Sequence, residues 1–469
     1  MRTAAIVSLT SLACLLLVSC ASESEYKAPA IEFGKDAWSS DWQAAAPSDT
    51  EPRGPWWESF GDPVMNSLQQ RIDSANLTLA SALFRYNQAS ELTNQARAQQ
   101  SPSVDAAGSV LRNRQSDDRP LRGATQPATY GANTIGVIAT YEIDLWGRVR
   151  NLVAANEAQT QAAAAEMENV RLSLHASLAD HYVVLRGLDA QLRLYERTIE
   201  NYDRALKLTR HRHEGGIASG LDVSRAETQL SSVRAQLAEL RAQRALHLHA
   251  IAVLIGEPPQ AFTLAENESA LNLPEVPAGL PSTLLQRRPD IAAAERRVAA
   301  AHARLGVAHT AFFPTFSLGA QYGFQNSGGA SWISAPNSFW TLGPFAVLKL
   351  FDGGARKAQI AQAQASLDQA GTEYRSTVLS SYQQVEDEMA RLRAYETGIA
   401  DQTQAARSAE RAATLALSRY RDGAVSYLDV VNAQTVLLQV QRDLLSLQTR
   451  RLLSGVGLVR ALGGGWQRS

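Results

Sequence analysis

The chain has 469 residues, a formal net charge of −1, 19% charged residues and two cysteines. A near-neutral balance without a basic run gives nucleic acid no footing. Both cysteines, Cys14 and Cys20, lie close to the N-terminus, so the rest of the chain holds no disulfide framework, thiol nucleophile or thiolate metal site. Length alone suggests two or three domains.

The chain opens with Met1 and Arg2, then an apolar run from Ala4 to Val18 broken only by Ser and Thr. A positive start, an apolar stretch and small residues before a cleavage site make residues 1–19 a secretory signal peptide. At about 15 residues the run is short of the roughly 20 a membrane-spanning helix needs. Leu17-Val18-Ser19-Cys20 resembles the lipobox of bacterial lipoproteins, which implies cleavage before Cys20 and acylation of its thiol. Cys14 fits less well, because Ser11 stands where the box wants Leu. The plainer alternative is ordinary signal cleavage with a leftover Cys. Residues 20–62 then read as a lipid-anchored extended segment.

From residue 63 onward the chain is two copies of one plan, 63–265 and 282–462, joined by a linker at 266–281 and followed by a tail at 463–469. The match is clearest from Arg212 to Val223 against Arg419 to Val430, where Arg, Gly, Ser, Leu, Asp and Val coincide without a gap. The register continues through Ala226/Ala433, Leu230/Leu437, Leu237/Leu444 and Gly256/Gly463, and Pro102 pairs with Pro314 upstream. A repeat of this length fixes the architecture before any local detail.

Each copy predicts a helix, two strands, a very long helix, a tight turn and a last helix. In copy one the first helix is expected from Pro63 to Gln99 and the strands over Val104 to Arg112 and Thr134 to Leu145. Ile135, Val137, Ala139, Tyr141 and Ile143 alternate with polar or small residues, and only Ile138 intrudes. That is the period of a strand with one apolar face. In copy two Phe316 to Gln325 repeats it, and Trp340 to Leu350, interrupted by Pro344, is the weaker fourth strand. Turn-rich loops, Arg114 to Tyr130 and Asn326 to Asn337, join the pairs. From Arg148 to Arg212, and again from Ala355 to Arg421, there is no Pro. Each helix would run roughly 100 Å at 1.5 Å per residue. Leu174, Leu178, His181, Leu185, Leu188, Leu192, Tyr195, Ile199, Tyr202 and Leu206 follow in steps of four and three, as do Val378, Tyr382, Val385, Met389 and Leu392. This is a coiled-coil spacing.

Four amphipathic strands cannot close a barrel, and barrels need closure to remove their edges. No later segment is an apolar helical span, so a membrane crossing has to be made of strands. Three chains would give about twelve strands. The expected fold is mainly α with a small β part: an internally duplicated, long coiled-coil α-barrel joined to a trimeric transmembrane β-barrel, four strands from each chain. A soluble hairpin capping a coiled-coil scaffold is the alternative, and it does not account for the lipobox and the apolar strand faces together.

Several stretches carry a family resemblance in chain order: Tyr26-Lys27-Ala28-Pro29, Trp56 to Pro63, Arg287-Arg288-Pro289-Asp290-Ile291, Ala311 to Pro314, and Ala461-Leu462-Gly463-Gly464-Gly465-Trp466. The chain resembles the NodT-type outer-membrane efflux lipoproteins, relatives of the TolC channel, over its whole length. The resemblance implies a homotrimer in the bacterial outer membrane, with a β-barrel, a periplasmic α-barrel and an equatorial belt that includes the 266–281 linker. It implies a periplasmic adaptor and an inner-membrane transporter of the resistance-nodulation-division type as partners. It also implies a passive exit duct for drugs or other small toxic compounds. Export of protein or peptide with an ABC-type partner stays open as the alternative, as does a coiled-coil envelope scaffold; the lipobox and the Ala-Leu-Gly-Gly-Gly-Trp ending favour efflux.

No residue pattern supports catalysis or a cofactor beyond the lipid on Cys20. His211 and His213, and His247 and His249, are two apart on predicted helices, where side chains diverge, unlike the i, i+4 pair of a helical metal site. The functional candidates are the two turns. Gly216, Ile217, Ala218, Ser219, Gly423, Ala424, Val425 and Ser426 are expected to dock an adaptor, at the periplasmic end of the long helices. Tyr420, Arg421 and Asp422 on one hairpin, with Arg212 and Glu214 on the other, are expected to hold the tip closed. The resemblance implies that Leu428 narrows the pore. The family's nearby Asp falls on Asn432, with Asp429 as a partial substitute. The plainer reading of both turns is a helix corner with a glycine C-cap, Ser219 or Ser426 capping the next helix.

Overall fold

The computed structural model describes residues 54–116, 127–267, 271–273, 287–328 and 331–464. The expected signal peptide, Cys20, most of the 266–281 linker and Trp466 lie outside the described residues. Nine of the elements below are those the repeat predicts, the tenth is split in two, and the departures have local causes.

After a 3-10 turn at Trp56–Phe60, helix α1 spans Pro63–Ala75 and α2 spans Leu77–Ala98. One continuous helix was expected from Pro63 to Gln99. It breaks because Asn76 is extended, with φ −75° and ψ 121°. Its side-chain oxygen accepts from Leu79 N at 2.9 Å while its amide donates to Leu254 O at 2.8 Å. Asparagine competes with the helix by capping the next one. Strands β1 (Ser103–Arg114) and β2 (Thr129–Ile143) follow, then the long helix α3 (Arg148–Glu214) and α4 (Gly220–Leu254). Copy two supplies α5 (Pro289–Thr310), β3 (Thr315–Asn326), β4 (Ser338–Val347), α6 (Ala355–Arg421) and α7 (Tyr427–Ala461).

The chain divides into two compact units. The first comprises Arg85–Ala163 and Ala293–Tyr374 among the described residues and holds the sheet. Its four strands are antiparallel in the order β1-β2-β3-β4. The register puts the apolar residues of both copies on one face: Ile135 lies opposite Phe324, Val137 opposite Tyr322, Tyr141 opposite Leu318, and Tyr322 opposite Trp340. Most of this face is bare: Trp340 is 74% exposed and its neighbours Val104 and Leu342 are 68% and 63% exposed, while Tyr141 and Phe324 are half-buried. An apolar sheet face of this size without a covering layer needs an apolar medium. Pro344 is tolerated because β4 pairs only with β3, leaving its other side an edge. On the opposite face Gly136 sits against Gly323, and a Cβ at Gly323 would come within 2.4 Å of Ile135 O. β4 stops at Val347, short of the expected Leu350. Past that point Asp352 caps α6, accepting from Gly354 N at 3.0 Å and from Arg356 N and Nε at 3.2 and 2.6 Å.

The second unit comprises residues 54–84, Ala164–Ala292 and the chain from Arg375 onward. One core gathers Trp56, Phe60, Met65 and Ile72 against Leu178, Tyr182 and Leu185 of α3, Ile251 of α4 and Val456 and Val459 of α7. The Trp-rich entry motif now has a physical role. Asp62 accepts from Val64 N and Met65 N at 2.8 and 3.2 Å, Pro63 takes the first helical position, and Trp56 and Phe60 before them are buried. A second core is the predicted seam, with Leu188, Leu192, Tyr195, Tyr202 and Leu206 of α3 against Leu230, Val233 and Leu237 of α4. Burying each such leucine stabilises the fold by roughly 1.5–3 kcal/mol.

Candidate functional site: the tips of the two helical hairpins

Each hairpin closes in the same way. After α3, Ile217 N donates to Arg212 O at 2.8 Å, and Gly216 takes φ +72°. After α6, Ala424 N donates to Arg419 O at 2.8 Å, and Gly423 takes φ +76°. A glycine in the left-handed region with the six-residue hydrogen bond behind it is a Schellman stop. The serine three residues on then starts the next helix. Ser219 N and Oγ donate to Asp222 Oδ2 at 3.3 and 3.0 Å, and Ser426 N and Oγ donate to Asp429 Oδ2 at 3.0 and 2.7 Å. The shared Ser-x-x-Asp of the repeat is therefore a capping box in both copies. Asp429 is tied into that cap. Asn432 is exposed one turn further on.

Between the hairpins the symmetry ends. Arg212 Nη1 donates to Tyr420 O at 2.6 Å and Arg421 O at 3.1 Å, and its guanidinium lies 4.7 Å from the centre of the Tyr420 ring. The expected contacts among these residues thus run through backbone carbonyls and a ring face rather than through carboxylates. Among the described residues Arg421 and Asp422 form no ion pair across the hairpins, and Glu214 faces His211 of its own helix at 3.4 Å. The sequence reading missed Tyr427. It is 2% exposed, packs on Tyr420 with ring centroids 5.2 Å apart, and has its hydroxyl pushed up to about 12 by burial. Its counterpart in the first copy is Gly220, and Tyr420's counterpart is His213, which donates from Nδ1 to Ala218 O at 2.9 Å. Within the shared Ser-x-Leu-Asp-Val of the repeat, the tyrosine at the variable position was the available signal.

Ile217 is 70% exposed, and Leu428, 41% exposed, lines a cavity of about 520 Å³ with Leu221, Val431 and Leu438. The chain matches the outer membrane efflux protein family over residues 68–257 and 280–464. It belongs to that family. It is 32% identical over 461 residues to the pyoverdine export outer membrane protein OpmQ of Pseudomonas aeruginosa, covering 97% of this chain and 96% of the other. It is 32% identical over 475 residues to the antibiotic efflux pump outer membrane protein ArpC of Pseudomonas putida, covering 98% and 96%. Among solved structures, the outer membrane protein VceC of Vibrio cholerae superposes with a TM-score of 0.82 at 29% identity, covering 90% of this chain and all of the other.

The protein is therefore an outer-membrane efflux channel with a helical periplasmic barrel, and its work is conduction rather than catalysis. Among the described residues no helix is long and apolar enough to cross a membrane, and the amphipathic sheet is the element suited to that task. In the second unit the channel's 3-10 turn and α1 are clamped to the long helices by a buried polar chain. Arg186 Nη2 donates to Tyr182 Oη at 2.8 Å, and Tyr182 Oη donates to Asp62 Oδ2 at 2.7 Å. Asp189, fully buried, accepts from Arg186 at 2.9 Å and Arg244 at 2.7 Å. The two arginines reach on to Ala265 O and Leu264 O at 3.0 and 2.9 Å, which fastens the start of the linker. Removing one member of such a buried pair costs about 3–5 kcal/mol. None of this network was anticipated: Tyr182, Arg186 and Asp189 are neighbours on α3, but Asp62 and Arg244, which complete it, lie far away in sequence.

Proposed function

We propose that this channel is the trimeric exit duct of a tripartite pump, held shut at its tip by Arg212 and opened by a periplasmic adaptor. The open-edged four-stranded sheet supports the trimer: two edges and one apolar face call for neighbouring copies, and three sheets make a barrel of about twelve strands. Cys20 carries the acyl anchor. Mass spectrometry of the mature N-terminus finding an unmodified start elsewhere would remove that element. The cargo class is antibiotics or other small toxic compounds delivered by an inner-membrane transporter of the resistance-nodulation-division type. The relatives named for pyoverdine export and antibiotic efflux favour small molecules over protein cargo.

The observation that carries the gate is the reach of Arg212 onto the carbonyls of Tyr420 and Arg421. Hydrogen bonds from a charged donor contribute about 1.5–3 kcal/mol each, and a three-fold assembly repeats them. An adaptor hairpin docking on Gly216, Ile217, Ala218 and Ser219, and on Gly423, Ala424, Val425 and Ser426, would bind the open tip better and shift the population toward it. Leu428 forms the narrow apolar ring above the latch. Arg212→Met keeps much of the packing and removes the donors. Single-channel conductance in planar bilayers is expected to rise, and cells carrying the variant should admit large antibiotics. A folded Arg212→Met trimer with wild-type conductance rules the latch out.

A further inference from the structure

The seam between α3 and α4 is apolar over most of its length, but His181 interrupts it between Leu178 and Leu185, which are buried. The side chain it meets on α4 is also a histidine. His181 Nδ1 and His247 Nδ1 are 3.0 Å apart, and the rings are tilted at 57°. The pair borders a cavity of about 440 Å³. Facing it are Asp180 from α3, Glu388, Arg391 and Tyr395 from α6, and Arg450 and Arg460 from α7. Among the described residues no group of three or more His, Cys, Asp or Glu could hold a metal ion, so the chemistry open to two facing imidazoles is protonic.

Two nitrogens in contact count protons. In the neutral pair one ring donates Nδ1–H and the other accepts. With one added proton a charged donor still faces a neutral acceptor, and the bond strengthens. With two, both nitrogens are donors, the bond is lost and like charges repel. We propose that His181 and His247 are a proton-counting clamp between α3 and α4, closed with no added proton or one and open with two, so that an acidic periplasm loosens the end of the α3–α4 seam remote from the turn.

The surroundings set the direction of the response. Burial holds both rings below the ordinary histidine range, and His181 lowers His247 further. Glu388, the other carboxylate facing the cavity, accepts from Arg391 at 2.6 Å through Oε1, while its Oε2 is buried without a hydrogen-bond partner among the described residues. Asp180 is pushed up to about 6 by burial, against Arg460 and with Glu388, so its negative charge fades as the histidines charge. The signs differ. A histidine with a lowered folded pKa contributes stability above its unfolded pKa and loses it as pH falls. The raised Asp180 destabilises the fold at neutral pH, and that penalty is relieved as pH falls through about 6. The test has to separate the pair from this carboxyl.

Amide hydrogen exchange on the full-length protein in detergent at pH 7.5 and pH 5, corrected for the intrinsic rate, does so. In the wild type, protection around residues 178–184 and 244–250 should fall at least about ten-fold on acidification while the seam at 230–240 holds. His181→Leu/His247→Leu restores the leucine pattern of the seam and should keep its protection at both pH values. The clamp is overturned if wild-type protection does not change, if it is lost equally along the whole seam, or if the double variant loses it to the same extent as the wild type.

Discussion

The two helical hairpins end in one backbone design and two different sets of side chains. Gly216 and Gly423 close the turns at nearly the same φ, and Ser219–Asp222 and Ser426–Asp429 start the next helices with the same box. Around that frame the α3–α4 tip places His213 beside Gly220, and the α6–α7 tip places Tyr420 on Tyr427. The first tip supplies the arginine that reaches, and the second supplies the ring and carbonyls that receive it. Duplication gives a symmetric scaffold. The side chains that break its symmetry are where a state-dependent contact can be placed, because a contact repeated identically on both hairpins would not distinguish one from the other.

The largest break in this comparison is expected from Tyr427→Ala. The side chain is buried against Tyr420 and Val430 in the seam core, and truncating a buried aromatic residue costs about 3–5 kcal/mol. Tyr427 shares its core with Tyr202 and Leu206 of α3, and its hydroxyl lies against Thr209. Amide exchange should therefore speed up most across residues 416–432 and to a smaller extent across 209–225. An unchanged 209–225 would mean that the two tips fold independently of each other.

Gly216→Ala and Gly423→Ala test the shared part. Either substitution forces a Cβ into the left-handed region at roughly 1–2 kcal/mol. Neither meets a steric obstacle: nothing lies within 4 Å of a Cβ at Gly216, and at Gly423 only Arg212 Nη2 at 3.8 Å does. The two variants should therefore lower the melting temperature alike. A large difference between them would show that Gly423 has a further duty, such as keeping room for the guanidinium.

Much of the architecture was legible in the sequence because it repeats. Strand alternation around Ile135 and Phe324, the four-three spacing from Leu174 to Leu206 and the glycine stops each occur in patterns that one chain prints twice. The break at Asn76 was missed although its cap on Leu79 is local; only its second bond, to Leu254 O, is made far along the chain. Distance in sequence hid the contacts of Asp189 with Arg244 and of His181 with His247. The tip was half legible. Glycine, serine and aspartate at fixed offsets gave the turns, and Arg212 and Tyr420 were named from their place beside them on the two hairpins. Their mode of contact was not, because a guanidinium that bonds carbonyls leaves no complementary charge to find. The predicted partner carboxylates, Glu214 and Asp422, were plausible by charge and are not what Arg212 touches.

That last difference leads to the smallest expected effect. The Tyr420 hydroxyl is buried and has no hydrogen-bond partner among the described residues. An unmet buried hydroxyl is a cost of about 1–3 kcal/mol that its removal can relieve. The ring remains in Tyr420→Phe, and a phenyl face still attracts a guanidinium. The carbonyl that accepts from Arg212 belongs to the backbone and survives the change. Tyr420→Phe should therefore leave conductance at the wild-type level and leave the melting temperature unchanged or slightly raised, while Tyr420→Leu, which loses the ring face, should raise conductance toward that of Arg212→Met. If Tyr420→Phe alone opens the channel, the hydroxyl has a partner in the closed assembly, and a neighbouring copy must supply it. The latch would then run between chains as well as between the hairpins of one.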